Sequence, residues 1–138
     1  MSESGRQASI LLRKAGEDLY AATCLGKDPA ASLWTVGFHA QQAVEKALKS
    51  VLMRQGIRYP FTHDIEVLTK IVRQAALPLP PDSENLPYLT PFGTLYRYED
   101  ETWGLPESLG MVHLLRWAEG TVSWAEGLLP GHGADTLP

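Results

Sequence analysis

Leu33, Gly37, Ala40, Val44, Ala47 and Val51 recur at alternating spacings of four and three residues. That period is the packing seam of an α-helix set against other helices. A β-strand would need alternation every second residue, so the seam commits the middle of the chain to helix packing. Glycine and alanine at its centre let a neighbouring element approach closely. Trp34, Phe38, Leu48 and Leu52 widen the apolar face to the width that a core requires.

The remaining chain reads the same way. Ala8, Leu11, Leu12, Ala15, Leu19 and Ala22 form one face of a first helix from about Ser4 to Leu25, stopped by Gly26. Asp28 followed by Pro29 reads as a cap and first position for the second helix, which Gly56 ends. Thr62 can cap a third helix carrying Ile65, Leu68, Ile71 and Val72, with Asp64 and Glu66 at the positive end of its dipole. A proline-rich loop follows. A short fourth helix is expected from about Pro91 to Glu99, with Leu86 and Leu89 extending it in a kinked form. A fifth runs from near Pro106 to Leu128 with the seam Leu109, Val112, Leu115, Ala118, Val122 and Ala125. The fold class is therefore all-α, an up-and-down antiparallel bundle of about five helices. Residues 1–128 are expected to form a single domain and residues 129–138 a flexible tail.

A chain of 138 residues suits one core. Its single cysteine, Cys24, cannot form an internal disulfide and reads as a small buried helix residue. No apolar run reaches the roughly 18 residues of a membrane span, and the polar start lacks a secretory pattern, so a cytoplasmic location is expected. The net charge of −4 is unevenly spread: residues 44–81 carry six basic side chains against three acidic, whereas residues 82–138 carry two against nine. A basic middle in an acidic protein suits a phosphate-bearing ligand or an acidic partner, or simply a solvated face.

Three constellations carry chemistry. On the second helix His39, Gln42, Lys46 and Lys49 share one stripe, and Gln41, Glu45 and Lys49 share another, with Glu45 spaced to pair Lys49. Two readings fit: the solvated back of an amphipathic helix, or a polar wall on which the lysines meet phosphate while Gln42 and Glu45 hydrogen-bond a base or sugar. Thr62-His63-Asp64 lies at a helix start, where exposed amides favour anions; His63 either touches a ligand or only caps the backbone. In Tyr96-Arg97-Tyr98-Glu99-Asp100, Arg97 either pairs with a carboxylate or reaches a phosphate between the tyrosines. The chain has no GxxxxGK loop, no zinc-ligand pattern and no Gly-x-Ser-x-Gly elbow, so no metal or cofactor is expected.

Phe38 through Lys49, then Thr62-His63-Asp64, then Arg97-Tyr98 resemble the HEPN family, the higher-eukaryote and prokaryote nucleotide-binding domains, over about residues 4–128. The resemblance implies a bundle of about five helices, usually a homodimer. Small stand-alone members are often encoded beside a minimal nucleotidyltransferase as a toxin–antitoxin pair. Other members are metal-independent ribonucleases built on an Arg followed about four to six residues later by His. Carried over, Glu45, Lys46 and Lys49 match the helix-two motif, His63 and Asp64 the helix-three start, and Arg97 with Tyr98 the late Arg-Tyr. After Arg97 the positions for histidine hold Thr102, Trp103 and Gly104, so the late ribonuclease motif is missing. Arg58 and His63 meet the spacing across the Tyr59-Pro60 linker.

The resemblance and the basic middle lead to one expectation: a module binding a nucleotide or other phosphate ligand through Gln42, Glu45, Lys46, Lys49, His63, Asp64, Arg97 and Tyr98, with a nucleotidyltransferase partner. The alternatives are a ribonuclease toxin acting on RNA with His63 and either Arg58 or Arg97, and a non-catalytic dimeric scaffold.

Overall fold

The computed structural model describes residues 2–94 and 108–129. Five helices carry the fold: α1 (Glu3–Gly26), α2 (Leu33–Arg54), α3 (Ile65–Gln74), α4 (Thr90–Thr94) and α5 (Met111–Leu128). A 3-10 turn, Leu86–Leu89, leads into α4, and no strand occurs among the described residues. The expected all-helical bundle is what forms.

α2 is its axis, touching α1, α3, α4, α5 and the 3-10 turn. Thirteen of its 22 residues are buried, including the whole seam apart from Leu33, which packs at its edge. α1 lays Ala8, Leu12, Ala15 and Ala22 against it, and α3 adds Ile65, Leu68 and Val72. The glycine of the seam meets an aromatic ring rather than a helix backbone. A Cβ on Gly37 would stand 2.2 Å from the Phe92 ring, which also packs on Trp34 with centroids 4.5 Å apart. Phe92 is fully buried there, worth about 2–3 kcal/mol in area removed from water.

Helix ends follow local chemistry. Ser2 and Ser32 each cap a helix by accepting an amide N–H three residues on. α2 therefore starts later than Asp28-Pro29 suggests, because Asp28 instead accepts the Ala30 N–H at 2.9 Å in a turn. At the far end of α2, Gly56 adopts φ +72°. Its N–H donates to Met53 and that of Ile57 to Leu52, the paired bonds of a Schellman stop. Asp64, not Thr62, caps α3 by accepting from Glu66 at 2.9 Å.

Other expectations are corrected. α5 begins at Met111, and its buried face is Leu114, Trp117, Ala118, Thr121, Val122 and Ala125. Val112 is 68% exposed. Both spacings fit a helix, and the face with the larger side chains, Leu114 and Trp117, has more apolar area to hide. Cys24 is exposed, not buried. The second half of the expected fourth helix and the tail from residue 130 lie outside the described residues; Leu129, at the start of that tail, is buried in the core. Among the described residues no helix is long and apolar enough to cross a membrane.

Candidate functional site

Encirclement of α2 puts polar side chains inside the bundle. Glu45 is 5% exposed, yet its carboxylate accepts hydrogen bonds from three groups. Gln41 Nε2 donates to Oε1 at 2.8 Å and Lys49 Nζ to Oε2 at 2.9 Å. His63 Nδ1 lies 3.0 and 3.1 Å from the two oxygens. Gln41 and Lys49 flank Glu45 at one helical turn on either side, whereas His63 arrives from the linker before α3. An ionised carboxylate only accepts, so His63 Nδ1 carries the proton. The other ring nitrogen, Nε2, is left for solvent on a side chain 48% exposed.

The amide of Gln41 is itself fully used. Its Nε2 also donates to the His63 carbonyl at 3.4 Å, and its Oε1 accepts from Gln42 Nε2 at 2.7 Å. Gln41 is completely buried, so this satisfaction matters to stability. The approach of α4 closes the other side, through Gly93.

A second carboxylate ties α2 to α1. Asp18 accepts from Lys46 Nζ at 2.6 Å and faces His39 Nδ1 at 3.0 Å. These side chains are 15% to 29% exposed, so the pair is only partly screened.

Beside the Glu45 cluster a groove of about 500 Å³ runs between α1, the end of α2 and the linker. Gln7, Ile10, Leu11, Met53, Tyr59, Pro60 and Phe61 line it together with Lys49. Lys49 thus belongs to both groove and cluster, and its ammonium sits 5.8 Å from the centre of the Tyr59 ring. Burial, and secondarily the negative charge of Glu45, push the Tyr59 hydroxyl pKa up. Phe61 is 95% exposed and meets the His63 ring edge-on at 5.6 Å.

Of the residues singled out in the sequence, Glu45, Lys49 and His63 come together, with Gln42 one hydrogen bond removed through Gln41. Lys46 points away to Asp18. The Asp64 carboxylate is engaged in capping α3, and Arg58 is exposed on the linker. Arg97 and Tyr98 lie outside the described residues. Gln41 and Asp18 were not among the expected site residues. The spacing of Gln41 to Glu45 was visible, but Asp18 lies 28 residues from its partner Lys46, beyond any local pattern. Among the described residues no group of His, Cys, Asp or Glu is arranged to hold a metal ion.

The model of the HEPN domain family matches residues 8–128 of the chain. No curated protein and no solved structure matches it.

Proposed function

The chain belongs to the HEPN domain family, and from that membership we propose that it is a module binding a nucleotide or the phosphate of an RNA at the His63–Glu45–Lys49 cluster. The family carries a general nucleotide- or RNA-related role. One observation supports the location: Glu45 fixes the His63 Nδ1 proton and holds Lys49 at the wall of the groove. His63 Nε2 then meets a phosphate oxygen as a donor once the ring is protonated, and the ammonium of Lys49 adds charge beside it. The groove offers Tyr59 and Phe61 as flat surfaces for a base. In this reading the protein is one half of a toxin–antitoxin module, a homodimer acting with a minimal nucleotidyltransferase. Calorimetric titration with adenine, guanine and uracil nucleotides should give saturable heat that His63→Ala reduces at least several-fold. Absence of heat with all of them would reject the proposal.

The same geometry favours a second reading, a ribonuclease. With Glu45 behind Nδ1, His63 Nε2 is oriented as a general base for a ribose hydroxyl, and Arg58 lies on the same linker. Incubated RNA should then be cut by the protein and not by His63→Ala; intact RNA in both reactions removes this reading.

A further inference from the structure

We propose that Asp18, His39 and Lys46 form a second nucleotide subsite, and that the ligand is a single RNA strand rather than a mononucleotide. This rests on reading the His63–Glu45–Lys49 cluster as a phosphate site. Between Val36 and Ser50, only Phe38, His39, Gln42, Lys46 and Lys49 escape burial on α2. Their spacings of three and four put them on one strip of the helix. The strip continues past Lys49 to Met53, which lines the groove.

Each polar group on the strip is held so that a defined atom faces outward. Asp18 Oδ1 lies 3.0 Å from His39 Nδ1, and an ionised carboxylate only accepts, so the ring proton sits on Nδ1. His39 Nε2 then keeps a lone pair, and it is not sealed from solvent. Gln42 Nε2 donates to Gln41, which leaves the Gln42 Oε1 as a second acceptor. An ammonium has three donors, and Lys46 uses one on Asp18 at 2.6 Å. The carboxylates of Asp18 and Glu45 stand behind the strip, on side chains 15% and 7% exposed. Lys14, exposed one turn before Asp18 on α1, adds a further cation at the same rim.

The order of these groups selects the occupant. Lys46 and Lys49 stand one turn apart, about 5–6 Å between Cβ atoms, within reach of neighbouring phosphates on one strand. The two acceptors beside them need donors, which a phosphodiester does not have. Ribose supplies one: its 2′-hydroxyl donates to His39 Nε2 while the adjoining phosphate meets Lys46. DNA lacks that hydroxyl, and a plain polyanion leaves both acceptors unpaired.

Anisotropy titrations with labelled tetrauridylate and its deoxy counterpart, beside calorimetry with uridine monophosphate, test the subsite in the intact protein. Tetrauridylate should bind about tenfold tighter than the monophosphate or more, and tighter than the deoxy strand. His39→Ala should lower RNA affinity about three- to tenfold with little change for DNA, so the preference collapses. His39→Gln, which restores an acceptor, should recover part of it. Lys46→Gln should weaken both strands alike and reduce the slope of log affinity on log salt by about 0.7. An RNA-to-DNA ratio that His39→Ala leaves unchanged overturns the subsite and reduces Asp18–His39–Lys46 to a clasp between helices. Tetrauridylate no tighter than the monophosphate also overturns it, while monophosphate binding that His63→Ala weakens keeps the first site. Absence of binding by every probe removes both.

Discussion

Gly93 packs so closely on the side-chain amide of Gln41 that a Cβ there would stand 2.3 Å from the amide carbon. The missing side chain lets α4 press the Gln41 amide toward Glu45, so a backbone feature in α4 supports a hydrogen bond within α2. Gly93→Ala should therefore cost about 1–3 kcal/mol by overpacking, read from urea denaturation. Adding Gln41→Ala should recover part of that loss, because the two residues are coupled. Strictly additive losses in the double variant would break the link.

The side chains of Glu45 and Lys49 are 7% and 12% exposed. Removing one partner strands the other. Glu45→Ala should cost about 3 kcal/mol, whereas Glu45→Met combined with Lys49→Met should cost clearly less. Chemical denaturation of the set decides; equal losses for the single and double variants would contradict the pairing.

Tyr59 gives stability a dependence on alkaline pH. Burial first, and Glu45 second, raise its pKa above the usual value near 10.0. The folded protein therefore holds the phenolic proton more tightly than the unfolded chain. Its contribution is complete below pH about 10 and is lost as pH climbs through the folded-state pKa. Tyr59→Phe should flatten the alkaline fall in melting temperature. Ultraviolet titration should show a tyrosine that ionises later than free tyrosine and that Tyr59→Phe removes.

Ala76 ends α3 with φ 59°, donating to Arg73 while Leu77 donates to Val72, the same stop that Gly56 makes for α2. A left-handed backbone is strained for alanine and free for glycine. Ala76→Gly should raise stability by about 0.5–1 kcal/mol, while Gly56→Ala should lower it by about 1 kcal/mol. A destabilised Ala76→Gly in thermal melts would refute this account.

The helices were legible because hydrophobic period is a local signal: the seam of α2 and the faces of α1 and α3 stand where their spacings put them. The HEPN resemblance, read from Gln42–Lys49 and Thr62–Asp64, is borne out by the family match. The Glu45–Lys49 pair also followed from one-turn spacing. What local pattern could not carry was which polar residues lie inside. Glu45 and Gln41 look like an outer stripe until α4 and the His63 linker cover them. In the same way, nothing near Gly37 announces that Phe92 will fill its place. On α5, two faces shared Ala118, Val122 and Ala125, and only competition for buried area separated them.

The two carboxylate clasps, Asp18 with Lys46 and Glu45 with His63, fasten α2 to different neighbours on different sides. Together they set the azimuth of the central helix. Rolling it by one residue, about 100°, would carry both sets of charges off their partners and turn some of them into apolar surroundings. The apolar seam alone sets that angle less sharply, since leucine and alanine can repack through small rotations. Buried charges cannot, and α2 is left with one angular setting in which the whole bundle can close.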